Sequence, residues 1–126
     1  MRRFRIKRDE HRFWYIGFMK KNSDSWYRSG FGIMLYPSGK IYKIGVFQRK
    51  GLRYGIDFYD NGHVRTVAIY NDGEKISYYG PSYPEYGIYY DEAGKLLYEG
   101  KFVCGSKGSL GWPVIIKPEG YYNRPH

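Results

Sequence analysis

Apolar and polar residues alternate with a period of two through most of the chain, and Gly-containing turns interrupt the alternation at regular places. Residues 30–51, GFGIMLYPSGKIYKIGVFQRKG, read as a strand, a tight turn at Pro37-Ser38-Gly39-Lys40, a second strand and a glycine-marked exit, which is one β-hairpin. The pattern recurs as GIDFYDNGHVRTVAIYNDG from Gly55 and GIYYDEAGKLLYEGKF from Gly87. The first glycine and the turn glycine are seven apart in each copy: Gly32 to Gly39, Gly55 to Gly62, Gly87 to Gly94. From the turn glycine to the closing aromatic the interval is eight: Gly39 to Phe47, Gly62 to Tyr70, Gly94 to Phe102. No apolar period of 3.6 competes with this one, so the expected fold is all-β, with under about 15% helix: an elongated single-layer antiparallel sheet of stacked hairpins.

The chain divides accordingly. Residues 4–7 read as a short strand that Asp9-Glu10 turns into the next, and FWYIGFM over 13–19 aligns with the second strand of the repeat, Gly17 falling where Gly45 and Gly100 fall. Residues 13–29 are therefore expected to be an N-terminal half-repeat plus a loop over 20–29. Full hairpins with their links occupy 30–53, 54–85 and 86–110, and 111–126 form a C-terminal cap and tail. The first two hairpins follow at a spacing of 23, and the next interval is stretched to 32 by nine extra residues within 74–86, where two prolines mark an irregular excursion.

Positions that agree between copies suggest the faces. On first strands, Ile33 and Leu35, Ile56 and Phe58, and Ile88 and Tyr90 are expected to face the core, leaving Met34 and Tyr36, Asp57 and Tyr59, Tyr89 and Asp91 outside. On second strands an aliphatic, a tiny residue and an aromatic share one face: Ile41, Gly45, Phe47; Val64, Ala68, Tyr70; Leu96, Gly100, Phe102. The tiny residue is explained if a neighbouring ring lies on it. The alternate positions Tyr42, Ile44, Val46 and Arg65, Val67, Ile69 are apolar enough for a partner or for self-association, whereas Leu97, Glu99 and Lys101 read as solvated.

The phrases Gly-x-Gly-x-x-x-Tyr-Pro-x-Gly-Lys over 30–40 and Tyr-x-Gly-x-Phe over 98–102, at a 23-residue period, resemble MORN repeats across roughly residues 13–120. The interval from turn glycine to second glycine is six here, one longer than the common eukaryotic pattern, and is similar to that of bacterial MORN-variant repeat proteins, some of them described as antitoxin components. The resemblance implies an elongated hairpin array without catalysis that works by protein contact, with lipid binding also proposed for the family.

Composition changes the picture in two ways. The 42% hydrophobic content leans on 16 Tyr, 7 Phe and 3 Trp beside 17 Gly, which suits rings lying over bare backbone. The net charge of +9 is uneven: up to Arg28 there are nine basic residues against three acidic, and afterwards twelve against nine. Arg2, Arg3, Arg5, Lys7, Arg8 and Arg12 thus form a basic start that could meet an anionic lipid headgroup, a nucleic acid or an acidic protein, or simply keep a sheet edge solvated. No apolar run is long enough to span a bilayer, and charged residues follow the basic start where a signal peptide has its apolar region, so a cytoplasmic location is expected.

Candidate chemistry is sparse. Cys104 is the only cysteine, and His11, His63 and His126 accompany no nucleophile motif; Asp57, Asp60, Asp72 and Asp91 fall at turns or outward positions. With no acid/base constellation, no metal-ligand spacing and no phosphate-binding loop, neither a catalytic residue nor a cofactor is expected. Binding is the remaining class. Large rings that the repeat does not need, Trp26 and Tyr27 in the first loop and Tyr78, Tyr79 and Tyr83 in the insertion, either pack down as a lid on their own hairpins or present anchors to a partner beside Arg28, Arg49, Lys50 and Arg53.

Overall fold

The computed structural model describes residues 1–72 and 84–102. These form eight strands: β1 (Arg2–Arg8), β2 (Trp14–Lys21), β3 (Trp26–Leu35), β4 (Ile41–Gln48), β5 (Gly51–Phe58), β6 (Val64–Tyr70), β7 (Pro84–Tyr90) and β8 (Leu96–Lys101). They lie in one antiparallel sheet in simple sequence order, β1 to β8. Among the described residues there is no helix, as the alternation predicts.

Each hairpin closes in the same way. Tyr36 N donates to Lys40 O and Gly39 N back to Tyr36 O, both at 2.8 Å; Tyr59, His63 and Gly62 repeat this, and so do Asp91, Lys95 and Gly94. The turn glycines share φ near +92°, a conformation that L side chains resist. A fourth copy precedes them. Asp9 N donates to Phe13 O at 2.9 Å and Arg12 N to Asp9 O at 3.1 Å, with Arg12 itself at φ +71°. The expected N-terminal half-repeat is therefore a complete hairpin, hidden in the sequence because arginine stands where its successors have glycine.

A row of the smallest residues crosses seven strands: Gly17, Gly32, Gly45, Gly55, Ala68, Gly87 and Gly100 are successive partners in register. Beside it runs a second row, Tyr15, Met34, Lys43, Asp57, Thr66, Tyr89 and Tyr98. Long side chains of this second row lie down over the glycines. The Tyr15 ring covers Gly32, where a Cβ would sit 2.5 Å from its hydroxyl, and the Tyr98 ring covers Gly100 at 2.8 Å. Tyr15 is fixed there by donating to Phe18 O at 2.6 Å and by an edge contact with Phe47 at 5.2 Å. Gly45 differs: its Cβ would strike the Tyr54 carbonyl oxygen and Gly55 Cα, so backbone approach rather than an overlying ring excludes a side chain.

This arrangement inverts the faces expected for first strands. Met34 and Asp57 are buried, with Tyr15, Met19, Phe47, Leu52, Ala68 and Tyr70 forming the core, while Ile33, Ile56 and Ile88 lie on the opposite, open face. Among the described residues no second sheet covers this layer, so burial there comes from side chains that fold down over their own sheet. Rings and unbranched chains do this over glycine; β-branched Ile, stiff at its first torsion, stands upright. Skipped residues add a second correction. Between Met34/Leu35 and Lys43/Ile41 the register leaves Tyr42 unpaired, and the same shift leaves Arg65 and Leu97 unpaired in later hairpins. These bulges turn Tyr42 and Arg65 onto the buried face and carry Ile41, Val64 and Leu96 opposite Leu35, Phe58 and Tyr90 instead of beside the glycines.

Tyrosines fasten one hairpin to the next. Tyr36 Oη donates to Phe58 O at 2.6 Å and Tyr59 Oη to Tyr90 O at 2.7 Å, the same bond one repeat later across the nine-residue insertion. Both rings were expected to point outward, and both hydroxyls are held above their ordinary pKa chiefly by burial. The insertion rings Tyr78, Tyr79 and Tyr83, together with Cys104 and the C-terminal cap, fall outside the described residues.

Candidate functional site

Two surfaces have the geometry of a binding site. The first is a cavity of about 230 Å³ on the buried face, at its N-terminal end. Strand β3 begins at Trp26, not after Ser29, because β2 runs on to Lys21 and the loop shrinks to four residues closed by Asn22 N to Ser25 O. Trp26, Tyr27 and Arg28 are thus strand residues facing Lys21, Lys20 and Met19 in register, and all three line the cavity. Tyr15, Met19 and Met34 form its floor, and Phe13, Lys7, Asp9 and Arg49 complete it. Arginines cap its rings: the Arg5 guanidinium lies 4.4 Å from the Trp26 ring centre and Arg49 lies 4.3 Å from that of Tyr27. Burial lowers the pKa of Arg28 and pushes Tyr15 up to about 12, the nearby Arg28 charge only partly opposing the latter.

The cavity gathers four of the expected contact residues, Trp26, Tyr27, Arg28 and Arg49, and excludes Arg53. Arg53 sits in a bulge of β5, donates to Tyr70 O and stacks on Tyr54. The basic start is spread along edge strand β1. Arg3, Arg5 and Lys7 stand opposite Met19, Gly17 and Tyr15; Arg2 and Arg8 point to the other side, bonding Ser29 and stacking on Trp14, and Arg12 is in the turn. Only Arg5 and Lys7 approach the cavity. Phe13 and Tyr15 as lining residues were not readable, since which strand ends meet at a cavity depends on register.

The second surface is the open face. Ile6, Ile16, Ile33, Ile44, Ile56, Val67 and Ile88 are successive cross-strand partners, an aliphatic ladder from β1 to β7. A parallel row, Phe31, Val46, Tyr54, Ile69 and Tyr86, runs from β3 to β7, its members 40–58% exposed. Phe4 and Phe18, edge to face at 5.7 Å, extend the apolar surface over β1 and β2. A shallow groove of about 400 Å³ lies between Ile56, Val67, Ile69, Tyr86 and Ile88. Ile44, Val46, Val67 and Ile69 are where the alternation placed them, and the apolar surface is larger than those four residues.

A second cluster of opposite charges on the buried face, in mid-sheet, pairs within the fold. Asp57 Oδ2 accepts from Arg65 Nη2 at 2.7 Å, and Lys43, Asp57's partner in register, is buried against the Tyr42 ring. Burial draws the Lys43 amine down to about 8. For Arg65, burial is more than offset by the charge and hydrogen bond of Asp57, so its pKa is raised. Among the described residues no group of three His, Cys, Asp or Glu side chains is placed to hold a metal, and no helix is long and apolar enough to cross a membrane. No protein-family model, curated protein or solved structure matches the chain.

Proposed function

We propose that this chain is a non-catalytic interaction module that binds a partner protein through the open face of its sheet, in the cytoplasm, as an inhibitor of the antitoxin, immunity or counter-defence type. The observation that carries the reading is the pair of unbroken apolar rows. Six inter-strand spacings of about 4.8 Å and a width of two side-chain rows give roughly 400 Å² of contiguous apolar surface, the size at which a patch on a soluble protein usually marks an interaction site. Tyr54, Tyr86 and Phe31 supply the aromatic anchors that dominate interface energetics. The resemblance to MORN-variant repeat proteins points the same way.

The test is a pull-down from the native host followed by mass spectrometry, with wild type beside Val46→Glu and Ile69→Lys. Both substituted residues are exposed, so melting should stay within a few degrees while the captured partner is lost. A partner retained by both folded variants would refute the open face as the contact.

A second reading, capture of an anionic headgroup or nucleic acid by the basic start, is favoured by one observation. Arg2, Arg3, Arg5, Lys7 and Arg8 are exposed along β1, and among the described residues none forms an ion pair. Binding by this route would weaken steeply with added salt, whereas an apolar interface would respond little.

A further inference from the structure

Three cations are drawn onto the buried face, and they are treated differently. Arg65 and Lys43 share Asp57, the first through a 2.7 Å ion pair and the second as its neighbour in register. Arg28 has no carboxylate in ion-pair range among the described residues. Its two terminal nitrogens reach Met34 Sδ and the Arg49 carbonyl oxygen, each at 3.4 Å, and the Phe47 ring lies 5.9 Å away. Those are long contacts to neutral acceptors, for a group whose five donors form a rigid fork matched to two oxygens of an anion. With Asp9 acting on it only through space, this half-buried charge keeps a desolvation cost that an arriving anion offsets.

The surroundings define which anion. Lys7 and Arg49 open into the same cavity, so the field there is positive. Asp9 also lines it; its Oδ1 accepts from the backbone N–H groups of His11 and Phe13 at 2.8 and 2.9 Å. With one half-buried guanidinium and a carboxylate in the wall, the site suits a monoanion with two oxygens better than a dianionic phosphate, which draws on more donors. A volume of about 230 Å³ is worth roughly seven or eight waters, which is one side chain rather than a nucleotide.

We propose that this cavity is a carboxylate-binding site, in which the Arg28 fork receives the side-chain carboxylate of an acidic peptide segment and that side chain's methylenes pack among Phe13, Trp26 and Tyr27. It lies on the opposite face from the apolar rows, so it stands or falls independently of the open-face reading. The segment carries its own charge to the deepest donor, while Lys7 and Arg49 at the rim attract it and Asp9 disfavours a second negative charge.

The test follows the Nε–H signal of Arg28 by NMR in the full chain during titration with the peptide N-acetyl-Glu-Tyr-Glu-amide, with N-acetyl-Gln-Tyr-Gln-amide and inorganic phosphate at matched ionic strength as the other arms. The signal should shift and saturate with the glutamate peptide, with an apparent affinity at least tenfold better than for either comparison. Arg28→Gln and Arg28→Lys, followed through backbone amides of 26–28, should each lose at least tenfold, the lysine because it keeps the charge without the fork. Lys95→Gln, at an exposed turn position far from the cavity, should change nothing. The Lys7→Gln/Arg49→Gln double variant leaves the Arg28 fork intact and should weaken the peptide at least threefold, so the proposal remains testable even where an Arg28 variant does not fold. It is overturned if the glutamate peptide does not saturate by millimolar concentration, if phosphate binds as tightly, or if folded Arg28→Gln binds unchanged. Binding that emerges only in a Glu74→Gln or Glu119→Gln background would also overturn it, because one of the chain's own carboxylates would then occupy the fork.

Discussion

Adding one methyl group at Gly45 should be far more damaging than adding one at Gly39, although both glycines have positive φ. Gly39 sits in a hairpin turn at φ +92° with nothing within 4 Å of a Cβ, so Gly39→Ala meets only the backbone preference against that conformation. That preference is worth about 1–2 kcal/mol, reduced by the smaller entropy of the unfolded alanine chain, for a net of about 1 kcal/mol. Gly45 lies mid-sheet at φ +150°, where a Cβ would be 2.1 Å from the Tyr54 carbonyl oxygen and 2.7 Å from Gly55 Cα. Both obstacles are backbone of β5 and cannot rotate away, so β4 and β5 would have to part by about 1 Å in the middle of the ladder. Overpacking of this kind costs about 1–3 kcal/mol beyond the conformational term, for a total of roughly 2–4 kcal/mol. For a chain of this size 1 kcal/mol moves the melting temperature by about 3–5 °C, which predicts losses of roughly 6–20 °C for Gly45→Ala and about 3–5 °C for Gly39→Ala. Thermal unfolding followed by circular dichroism near 215 nm reads both. Indistinguishable melting of the two variants would refute the close approach of β4 and β5 at Gly45.

Stability should climb between about pH 8 and pH 10. Burial draws the Lys43 amine from 10.5 to about 8, so in that window the unfolded chain binds the extra proton, and stability rises by up to about 1.4 kcal/mol per pH unit. Above pH 10 it should fall, because burial holds Tyr15 and Tyr36 up to about 12 and the unfolded tyrosines ionise first; Lys43→Met should abolish the rise and keep the fall in urea unfolding series. Arg12→Gly should raise stability by about 0.5–1 kcal/mol in the same assay, relieving a non-glycine residue at φ +71°. The open face also invites a second copy. Light scattering at micromolar concentration should give a dimer of the 14.9 kDa chain that Ile69→Lys dissociates, and a clean monomer for wild type would end that expectation.

The sequence carries the hairpin period openly, because turn glycines and closing aromatics are local requirements that recur at fixed distances. It does not carry the faces so openly. Ile33 and Ile56 outrank Met34 and Asp57 on any hydrophobicity scale, and alternation alone assigns the aliphatics to the inside. What decides otherwise is the row from Gly17 to Gly100, onto which only long or ring-bearing neighbours can lie, and this row becomes visible only once the strands are in register. The bulges at Tyr42, Arg65 and Leu97 leave no compositional trace for the same reason. Of the cavity, Trp26, Tyr27 and Arg28 stood out as aromatics and charge surplus to the repeat, but their meeting with Lys7, Phe13 and Tyr15 depends on β2 running to Lys21.

Strand order that follows chain order has a kinetic consequence. Each strand pairs only with the strands before and after it in the chain, so loop closure never has to wait for a distant segment. The mean sequence separation of contacts is set by hairpins, which places an all-β chain in the range of folding speeds usual for helical bundles rather than sandwiches. Growth outward from whichever hairpin forms first, in either direction, then replaces a single obligatory nucleus, and conservative substitutions in different hairpins should slow folding by comparable factors.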